Sequence, residues 1–233
     1  MKISIFSLPD IKLGKHNVKD SRLDEVDNIS RAKKKTYVQV EVAAEDAILD
    51  ADCILAPQDA RQDLVLKDLE FIETRLGRSE DANEKGLLEK LKAALEKEQF
   101  VAEVPLAAEE KQLLSGYGLC TKKPVVLAEK EEPADLNQLL VRCLQAANYI
   151  SFFTTGEKET RAWLIKKGTT AWEAAGSIHS DIQRGFIRAE IISFQDFIGS
   201  GGENPAKQAG KLRLEQKDYV MQDADLTTFR FNK

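Results

Sequence analysis

The order of apolar runs in the last 85 residues is the feature that most constrains the fold of this chain. Two strand-like runs, residues 150–153 and 161–166, flank a polar turn. A helical segment follows at residues 170–179, and Thr169 or Thr170 can cap its first turn. Three further strands are predicted at residues 186–193, 218–221 and 226–231. This order predicts a compact sheet with one helix packed across it.

The first 148 residues show strands that alternate with helices. Short strands are predicted at residues 2–6, 36–42 and 52–56, and residues 7–19 form a turn-rich polar stretch. A helix (107–114), a strand (123–128) and an amphipathic helix (134–148) follow further along the chain. The pattern is of the α/β type with a small sheet.

Between these elements, residues 58–78 and the region after Gly86 predict two amphipathic helices joined by a short turn, which is a helical hairpin. The apolar stripes of the two helices are Leu66, Leu69, Ile72 and Leu76, and Leu88, Leu91 and Leu95. Such stripes either pack inside the protein or form an arm that binds a protein partner.

Composition excludes several classes of protein. The chain has 233 residues, 42% of them hydrophobic and 31% charged, with a net charge of −5, so a strongly cationic nucleic-acid binder is not indicated. No stretch approaches the roughly 18 apolar residues of a membrane span, and the short apolar start lacks a leader cleavage site. We expect a cytoplasmic protein with no membrane contact. The cysteines Cys53, Cys120 and Cys143 match no metal motif and are expected to be buried.

Several sequence blocks in the C-terminal third carry a family resemblance. The blocks are residues 152–163 (FFTTGEKETRAW), 167–171 (KGTTA), 184–190 (RGFIRAE), 209–215 (AGKLRLE) and 229–232 (FRFN). In this order they closely resemble the C-terminal TGS domain of the YchF/Obg-like ATPases, which implies a β-grasp (ubiquitin-like) fold for residues 149–233. Trp172, Ala224 and Thr228 depart from the usual family residues without threatening that fold.

The resemblance extends upstream. Residues 68–76 and 87–96 look like the two helices of the family's helical insertion, and residues 1–9 look like its first strand and the start of its phosphate loop. The resemblance therefore implies a reduced P-loop-GTPase-like α/β region at residues 1–65 and 117–148. It also implies a helical hairpin insertion at residues 66–116.

The phosphate loop itself is damaged. A working loop has the pattern G-x-x-x-x-G-K-[ST], in which backbone N–H groups and the lysine bind phosphate and the hydroxyl binds Mg²⁺. In this chain Ser7 replaces the first glycine, two extra residues precede Gly14, and His16 follows Lys15 in place of the hydroxyl. Asp10 adds an anionic side chain to the same stretch.

The other two nucleotide elements are altered as well. The γ-phosphate-sensing turn would fall at residues 42–46, which lack the required glycine, and the base-reading motif would fall at residues 127–132, which lack its asparagine. The sequence therefore favours a protein with no catalytic residues and no cofactor, a pseudo-NTPase. One alternative is a nucleotide-binding protein or weak ATPase or GTPase that uses a remodelled pocket, with ATP or GTP and Mg²⁺ bound at Gly14 and Lys15. The other alternative is a small-ligand sensor.

The resemblance also implies a partner. Related TGS domains suggest contact with the ribosome or with structured RNA, and residues 149–233 carry 12 basic and 11 acidic residues, a more basic balance than the 22 and 28 of residues 1–148. The candidate nucleic-acid-binding residues are Arg161, Lys166, Lys167, Arg184, Arg188, Lys211 and Arg213. Strand alternation places Arg161 and Lys166 on opposite faces, so a solvated mixed-charge sheet remains the alternative. No histidine, cysteine or carboxylate pattern predicts a metal site.

Overall fold

The computed structural model describes residues 1–129 and 135–232 and divides the chain into two compact units. The first unit comprises Met1–His16 and Val40–Ala147, and the second comprises Asn17–Gln39 and Asn148–Lys233. The expected domain boundaries had assigned residues 17–39 to the N-terminal region, whereas the structure groups this segment with the C-terminal residues. The physical reason is the packing of the helix in this segment, described below.

The described residues form strands and helices in alternation. The strands are β1 (Lys2–Ile5), β2 (Gly14–Val18), β3 (Lys35–Thr36), β4 (Val38–Ala43), β5 (Cys53–Pro57), β6 (Val125–Ala128), β7 (Tyr149–Thr154), β8 (Thr160–Lys166), β9 (Phe186–Ile192), β10 (Arg213–Glu215) and β11 (Leu226–Phe231). The helices are α1 (Ser21–Ser30), α2 (Arg61–Leu76), α3 (Ala82–Leu95), α4 (Ala108–Ser115), α5 (Leu136–Ala146), α6 (Ala171–Ile178), α7 (Ser180–Arg184), α8 (Phe194–Ser200) and α9 (Glu203–Gln208). No helix among these is long and apolar enough to cross a membrane.

The first unit is built on a five-stranded sheet with the order β2-β4-β1-β5-β6. Strands β4, β1, β5 and β6 run parallel, and Ile3 of β1 lies opposite Val42 on one side and Cys53 on the other. The runs in β1 and β5 are almost continuously apolar because a parallel strand is buried on both faces. All three cysteines are buried and free of disulfides, as expected.

The helical hairpin of α2 and α3 packs into the same core as this sheet. Ile72 of α2 and Leu88 and Leu91 of α3 are fully buried in a cluster that also contains Phe6 and Ile54. Full burial of a side chain of this size stabilises the fold by about 1.5–3 kcal/mol. The apolar stripes are therefore internal packing surfaces. One predicted member is wrong: Leu66 is 63% exposed, and Leu64, Val65 and Asp68 face the core instead.

A carboxylate stabilises the end of the hairpin at which the turn joins α2 to α3. Glu84 of α3 accepts a hydrogen bond from Arg75 Nε of α2 at 2.7 Å, and it also accepts from the hydroxyls of Ser79 and Tyr117. These donors, Ser79 first, lower the pKa of Glu84 from an ordinary value near 4.5 to about 2. The ionised carboxylate therefore favours the folded hairpin.

The second unit is built on a six-stranded sheet with the order β10-β9-β11-β7-β8-β3. Strand β11 runs parallel to β7 and antiparallel to β9, and β7 forms a hairpin with β8. Helix α6 covers one face, where Phe152, Ala175 and Phe229 share a cluster. As predicted, Thr170 caps α6, and Glu173 completes a capping box. The molecule is thus a mixed α/β protein with two sheets.

Helix α1 lies on the other face of this sheet. Its Leu23 and Val26 are fully buried, and the guanidinium of Arg22 lies 5.9 Å from the ring of Phe153, which alternates with Phe152 along β7. Arg22 also binds Asp223 in the turn before β11 at 2.7 Å. These contacts explain why residues 17–39 belong to the second unit.

Two local predictions require correction. Residues 7–19, predicted as a turn-rich polar stretch, contain the strand β2. The sequence did not indicate this strand because a short polar edge strand has little apolar signal. Residues 218–221 form an isolated bridge between Val220 and Thr170 in place of a strand, and Arg213–Glu215 forms the edge strand instead. The sequence analysis did not predict helices α1, α7, α8 and α9. Of these, α7, α8 and α9 are each shorter than two turns and so show no helical periodicity.

We predict that Glu84→Gln destabilises the protein at neutral pH, because the uncharged amide binds Arg75 less strongly. The stabilisation from Glu84 is fully present above its unfolded pKa, near 4.5, and is lost as the pH falls towards 2. The difference in urea midpoint between wild type and variant should therefore be large at pH 7 and shrink at pH 3.

The control is Glu89→Gln, which removes an exposed carboxylate from the same helix. Its midpoint should follow the wild type at both pH values. A Glu84→Gln difference that persists unchanged at pH 3 would contradict the assignment.

Candidate functional site

The chain beyond β1 is where a phosphate loop would lie, and a core side chain occupies its start. Phe6 is 3% exposed, and its backbone N–H donates to Leu55 O at 2.9 Å. Ser7 then adopts a left-handed backbone with φ of 54°. The ammonium of Lys67 on α2 lies 5.0 Å from the Phe6 ring. The first residue after β1 is therefore used for packing.

Gly14 and Lys15 open the strand β2, and no helix begins directly after them. Both residues are exposed, and Gly14 has φ of 112°, which favours glycine. His16 Nε2 donates to Lys12 O at 2.6 Å, so the imidazole closes the turn in front of the strand. In a phosphate loop the lysine leads into a helix whose N-terminal N–H groups bind phosphate. Here the described chain after Lys15 continues as an extended strand.

The position of the γ-phosphate-sensing turn is taken by a 3₁₀ helix, Glu45–Ala47. Ser4 Oγ donates to Ala44 O at 2.9 Å, and Glu45 forms an ion pair with Lys67 at 2.6 Å. This ion pair neutralises the lysine that lies over Phe6. The predicted base-reading motif spans residues 127–132. Residues 127 and 128 end β6, residue 129 follows the strand, and residues 130–132 lie outside the described residues.

The predicted nucleic-acid-binding residues are distributed over both faces of the second sheet. Arg161 and Arg213 lie on the α6 face, beside Trp163 and Tyr219 of the α6 cluster. Arg188 lies on the opposite face, where it is paired with Arg230 across β9 and β11. Strand β8 is four positions from β10 in the sheet order, so Arg161 and Arg213 do not share a local patch.

The other predicted basic residues, Lys166, Lys167, Arg184 and Lys211, lie at the ends of strands and helices or between them. Lys166 ends β8 with its ammonium 3.8 Å from the Tyr149 ring, and the exposed Lys167 follows it. Arg184 ends α7, and Lys211 lies between α9 and β10.

Most of these basic side chains have acidic partners. The ion pairs are Arg161 with Glu159 (4.0 Å), Arg184 with Asp181, Arg188 with Glu190 (3.6 Å), Lys211 with Asp196 (3.3 Å), and Arg213 with Asp225 (3.6 Å) and Glu215 (3.8 Å). Such partners reduce the attraction of these residues for a phosphate backbone, since the charge is already compensated.

Glu190 is an acidic partner that contacts two arginines. Arg230 donates to its two carboxylate oxygens at 2.8 and 2.9 Å. Arg188, two residues earlier on β9, places its Nη2 3.6 Å from Glu190 Oε1. The hydrogen bonds from Arg230 lower the pKa of Glu190, although its burial opposes the shift. Glu190 is 7% exposed, so this carboxylate depends on its two arginines.

Asp225 is buried directly before β11, an interior strand of the sheet. Tyr219 Oη donates to Asp225 Oδ2 at 2.8 Å, and Arg213 Nη2 donates to Tyr219 Oη at 3.0 Å. Burial, followed by the bond to Asp225, raises the pKa of Tyr219 to about 12. This chain of contacts fixes Arg213 within the fold.

Sequence reasoning missed a second basic segment. The run Arg31-Ala32-Lys33-Lys34-Lys35 leads into β3, which pairs with β8 at Lys35–Thr160 and Thr36–Arg161. Four basic residues in five were the available signal. The run lies in the N-terminal part of the sequence, so nothing in the sequence indicated that it joins the edge of the C-terminal sheet.

Comparison with known proteins gives the family. A family profile named YchF-GTPase_C and described as "Protein of unknown function (DUF933)" matches residues 149–232. The "Ribosome-binding ATPase YchF" of Bacillus subtilis is 33% identical over 73% of this chain and 64% of its own length. The protein of the same name from Haemophilus influenzae is 52% identical over 44% of this chain and 28% of its own length.

A solved structure shows the same fold over nearly the whole chain. The structure of the Schizosaccharomyces pombe YchF GTPase superposes with a TM-score of 0.80, covering 99% of this chain and 97% of that one at 21% identity. The two α/β units thus define a fold shared with that protein. The chain belongs to the YchF family, and it spans just under two thirds of the Bacillus subtilis relative.

We predict that Arg188→Glu destabilises the second unit. The substitution removes one cation from the buried Glu190 and places a second carboxylate opposite Arg230, where it competes with Glu190 for that guanidinium, at a cost of roughly 1 kcal/mol. The urea midpoint should fall for Arg188→Glu and stay unchanged for the control Lys167→Glu, which reverses an exposed charge next to the end of β8. Equal midpoints for the two variants would show that Glu190 does not depend on Arg188.

Proposed function

We propose that this protein is a translation-associated member of the YchF family that binds the ribosome without hydrolysing nucleotide. The name of its aligned relatives, "Ribosome-binding ATPase YchF", supports the ribosome as partner. A cytoplasmic setting is part of the same proposal. We therefore assign ribosome binding, but not the ATPase activity, to this chain.

We further propose that the second unit is a TGS-type β-grasp domain that makes the contact. Its C-terminal strands have the order β10-β9-β11-β7-β8, with the last strand in the centre and parallel to the first. Helix α6 follows the first hairpin and crosses one face. A central parallel pair flanked by antiparallel strands and crossed by one helix supports a ubiquitin-like arrangement.

The observation that supports the absence of hydrolysis is the course of the chain after β1. Phosphoryl transfer needs a lysine, a Mg²⁺-binding hydroxyl and backbone N–H groups held around the phosphates. Here Lys15 lies in an exposed strand, and His16 donates to Lys12 O. The first helix along the chain, α1, has its N-terminus capped by the Asp20 carboxylate with Asp24 in its first turn. Anionic side chains at that end disfavour phosphate.

Ribosome binding is tested by co-sedimentation of the full chain with purified ribosomes through a sucrose cushion. We expect the protein to pellet with ribosomes at low salt and to be released as salt increases, because binding to ribosomal RNA is largely electrostatic. The protein centrifuged alone is the control. A protein that stays in the supernatant at every salt concentration refutes the proposed partner.

Nucleotide binding is tested by calorimetry with ATP, GTP and ADP in the presence of Mg²⁺. We expect no binding heat up to roughly millimolar ligand, since each missing charge-assisted contact costs about 1.5–3 kcal/mol. Micromolar binding that is lost in Lys15→Ala would instead establish a remodelled nucleotide pocket at Gly14 and Lys15.

A further inference from the structure

Two segments that are distant in sequence join at the edge of the second sheet. The backbone N–H of Lys33 donates to Glu157 O at 3.1 Å, and that of Thr160 donates to Lys34 O at 2.9 Å. Thr155 Oγ1 donates to Ser30 Oγ at 2.7 Å. Residues 30–36 are thereby fixed along the turn between β7 and β8.

This junction concentrates positive charge. Arg31, Lys33, Lys34 and Lys158 are all exposed, and we call these four residues the basic edge. Lys34 has an ion pair with Glu159 at 3.1 Å, yet its side chain is 68% exposed. For Arg31, Lys33 and Lys158, the described part of the chain supplies no carboxylate within ion-pairing distance. The basic edge therefore differs from the basic residues of β9 and β10, which have acidic partners.

The fourth basic residue of the segment 31–35, Lys35, holds the segment in place. Lys35 binds Asp24 of α1 at 2.6 Å and lies 5.4 Å from the ring of Tyr37. Thr36 Oγ1 donates to Glu159 Oε1 at 2.5 Å. Both contacts consume acidic groups near the basic edge. Glu157, which precedes Lys158, is an exposed carboxylate that remains beside the basic edge.

A stacked guanidinium lies next to the basic edge. Thr36 is paired with Arg161, whose Cζ lies 4.1 Å from the centre of the Trp163 ring. Trp163 Nε1 donates a hydrogen bond to Thr154 Oγ1 at 2.9 Å, and its ring stacks on the Phe152 ring with 6.4 Å between the ring centres. These contacts fix Trp163 in place. A guanidinium held over an aromatic ring offers a plane on which an unpaired RNA base can stack.

We propose that the basic edge binds the phosphate backbone of single-stranded RNA, with Arg161 stacking against a base. This inference rests on the proposed function, since it assigns the contact to RNA of the ribosome. Exposed cations beside a supported planar group are the combination that single-stranded nucleic acids use, in which backbone charge and base stacking act together. An acidic protein surface would engage the cations alone.

The test measures binding of a fluorescein-labelled, unstructured 20-nucleotide RNA by anisotropy over a salt series. The basic-edge variant is Arg31→Glu/Lys33→Glu/Lys158→Glu. The control, Lys85→Glu/Lys97→Glu/Lys111→Glu, makes the same change in net charge at three exposed lysines of the first unit. Thermal unfolding of each variant establishes that it is folded.

We expect the basic-edge variant to bind at least about tenfold more weakly at about 100 mM salt, with the control close to wild type. The slope of log K against log salt should become shallower by about 2, since each phosphate contact contributes about 0.7 for a single strand. Arg161→Lys keeps the charge and removes the planar group, so it should weaken binding without changing this slope.

Equal binding by the basic-edge variant and the wild type overturns the proposal, and so does an equal loss in both triple variants. Wild-type protein that fails to bind the RNA at about 100 μM overturns it too. Ribosome co-sedimentation of the same variants separates this proposal from the proposed function. If the wild type and the basic-edge variant pellet equally, the ribosome contact stands and the basic edge is excluded from it.

Discussion

The sheet of the second unit has two apolar faces, and its fold depends on covering both. Helix α6 covers one face through small residues, Ala171, Ala174 and Ala175, which let the helix approach the strands closely. The other face presents Phe153 and Leu226, and leaving such side chains in water would cost about 1.5–3 kcal/mol each. Helix α1 supplies Leu23 and Val26 to this face. A segment from the N-terminal part of the chain is therefore an integral component of the C-terminal unit.

That packing also determines the charged surface of the unit. Once α1 is fixed by Arg22 and by its buried leucine and valine, the chain that follows must run along β8, and it pairs there as β3. The basic run at residues 31–35 is carried to the sheet edge by this connection. The exposed positive charge of the basic edge thus results from the packing of α1 on the sheet.

The core of the first unit is a parallel sheet that packs against two helices. Strands β4, β1 and β5 pair in parallel, and α2 and α3 pack into the same core. After β1 the chain continues through the buried Phe6 to the strand β2, and Glu45 pairs with Lys67. The sheet is stabilised by burial of apolar side chains, which places no demand on the residues between β1 and β2 beyond Phe6.

The sequence by itself determined the elements whose signal is local. The apolar alternation of β7, β8, β9 and β11, the capping box at Thr170 and the helical hairpin followed from residues close together in the chain. The same holds for the departures from the phosphate-loop pattern at Ser7 and His16, which are visible in the sequence. Elements with weak local signal, such as β2 and α1, were missed because polar edge strands and short helices form only where tertiary contacts support them.

Only the tertiary structure decided which charges are compensated and which segments meet. Lys211 and Arg213 are as basic in sequence as Arg31 and Lys33, but their acidic partners Asp196 and Asp225 are brought to them by a helix cap and by a turn. The joining of Lys33 to Glu157 links residues more than a hundred positions apart through backbone hydrogen bonds that leave no pattern in either segment. Ion pairing and sheet pairing depend on distances in space, and a linear sequence does not specify these until the hydrophobic faces have been matched.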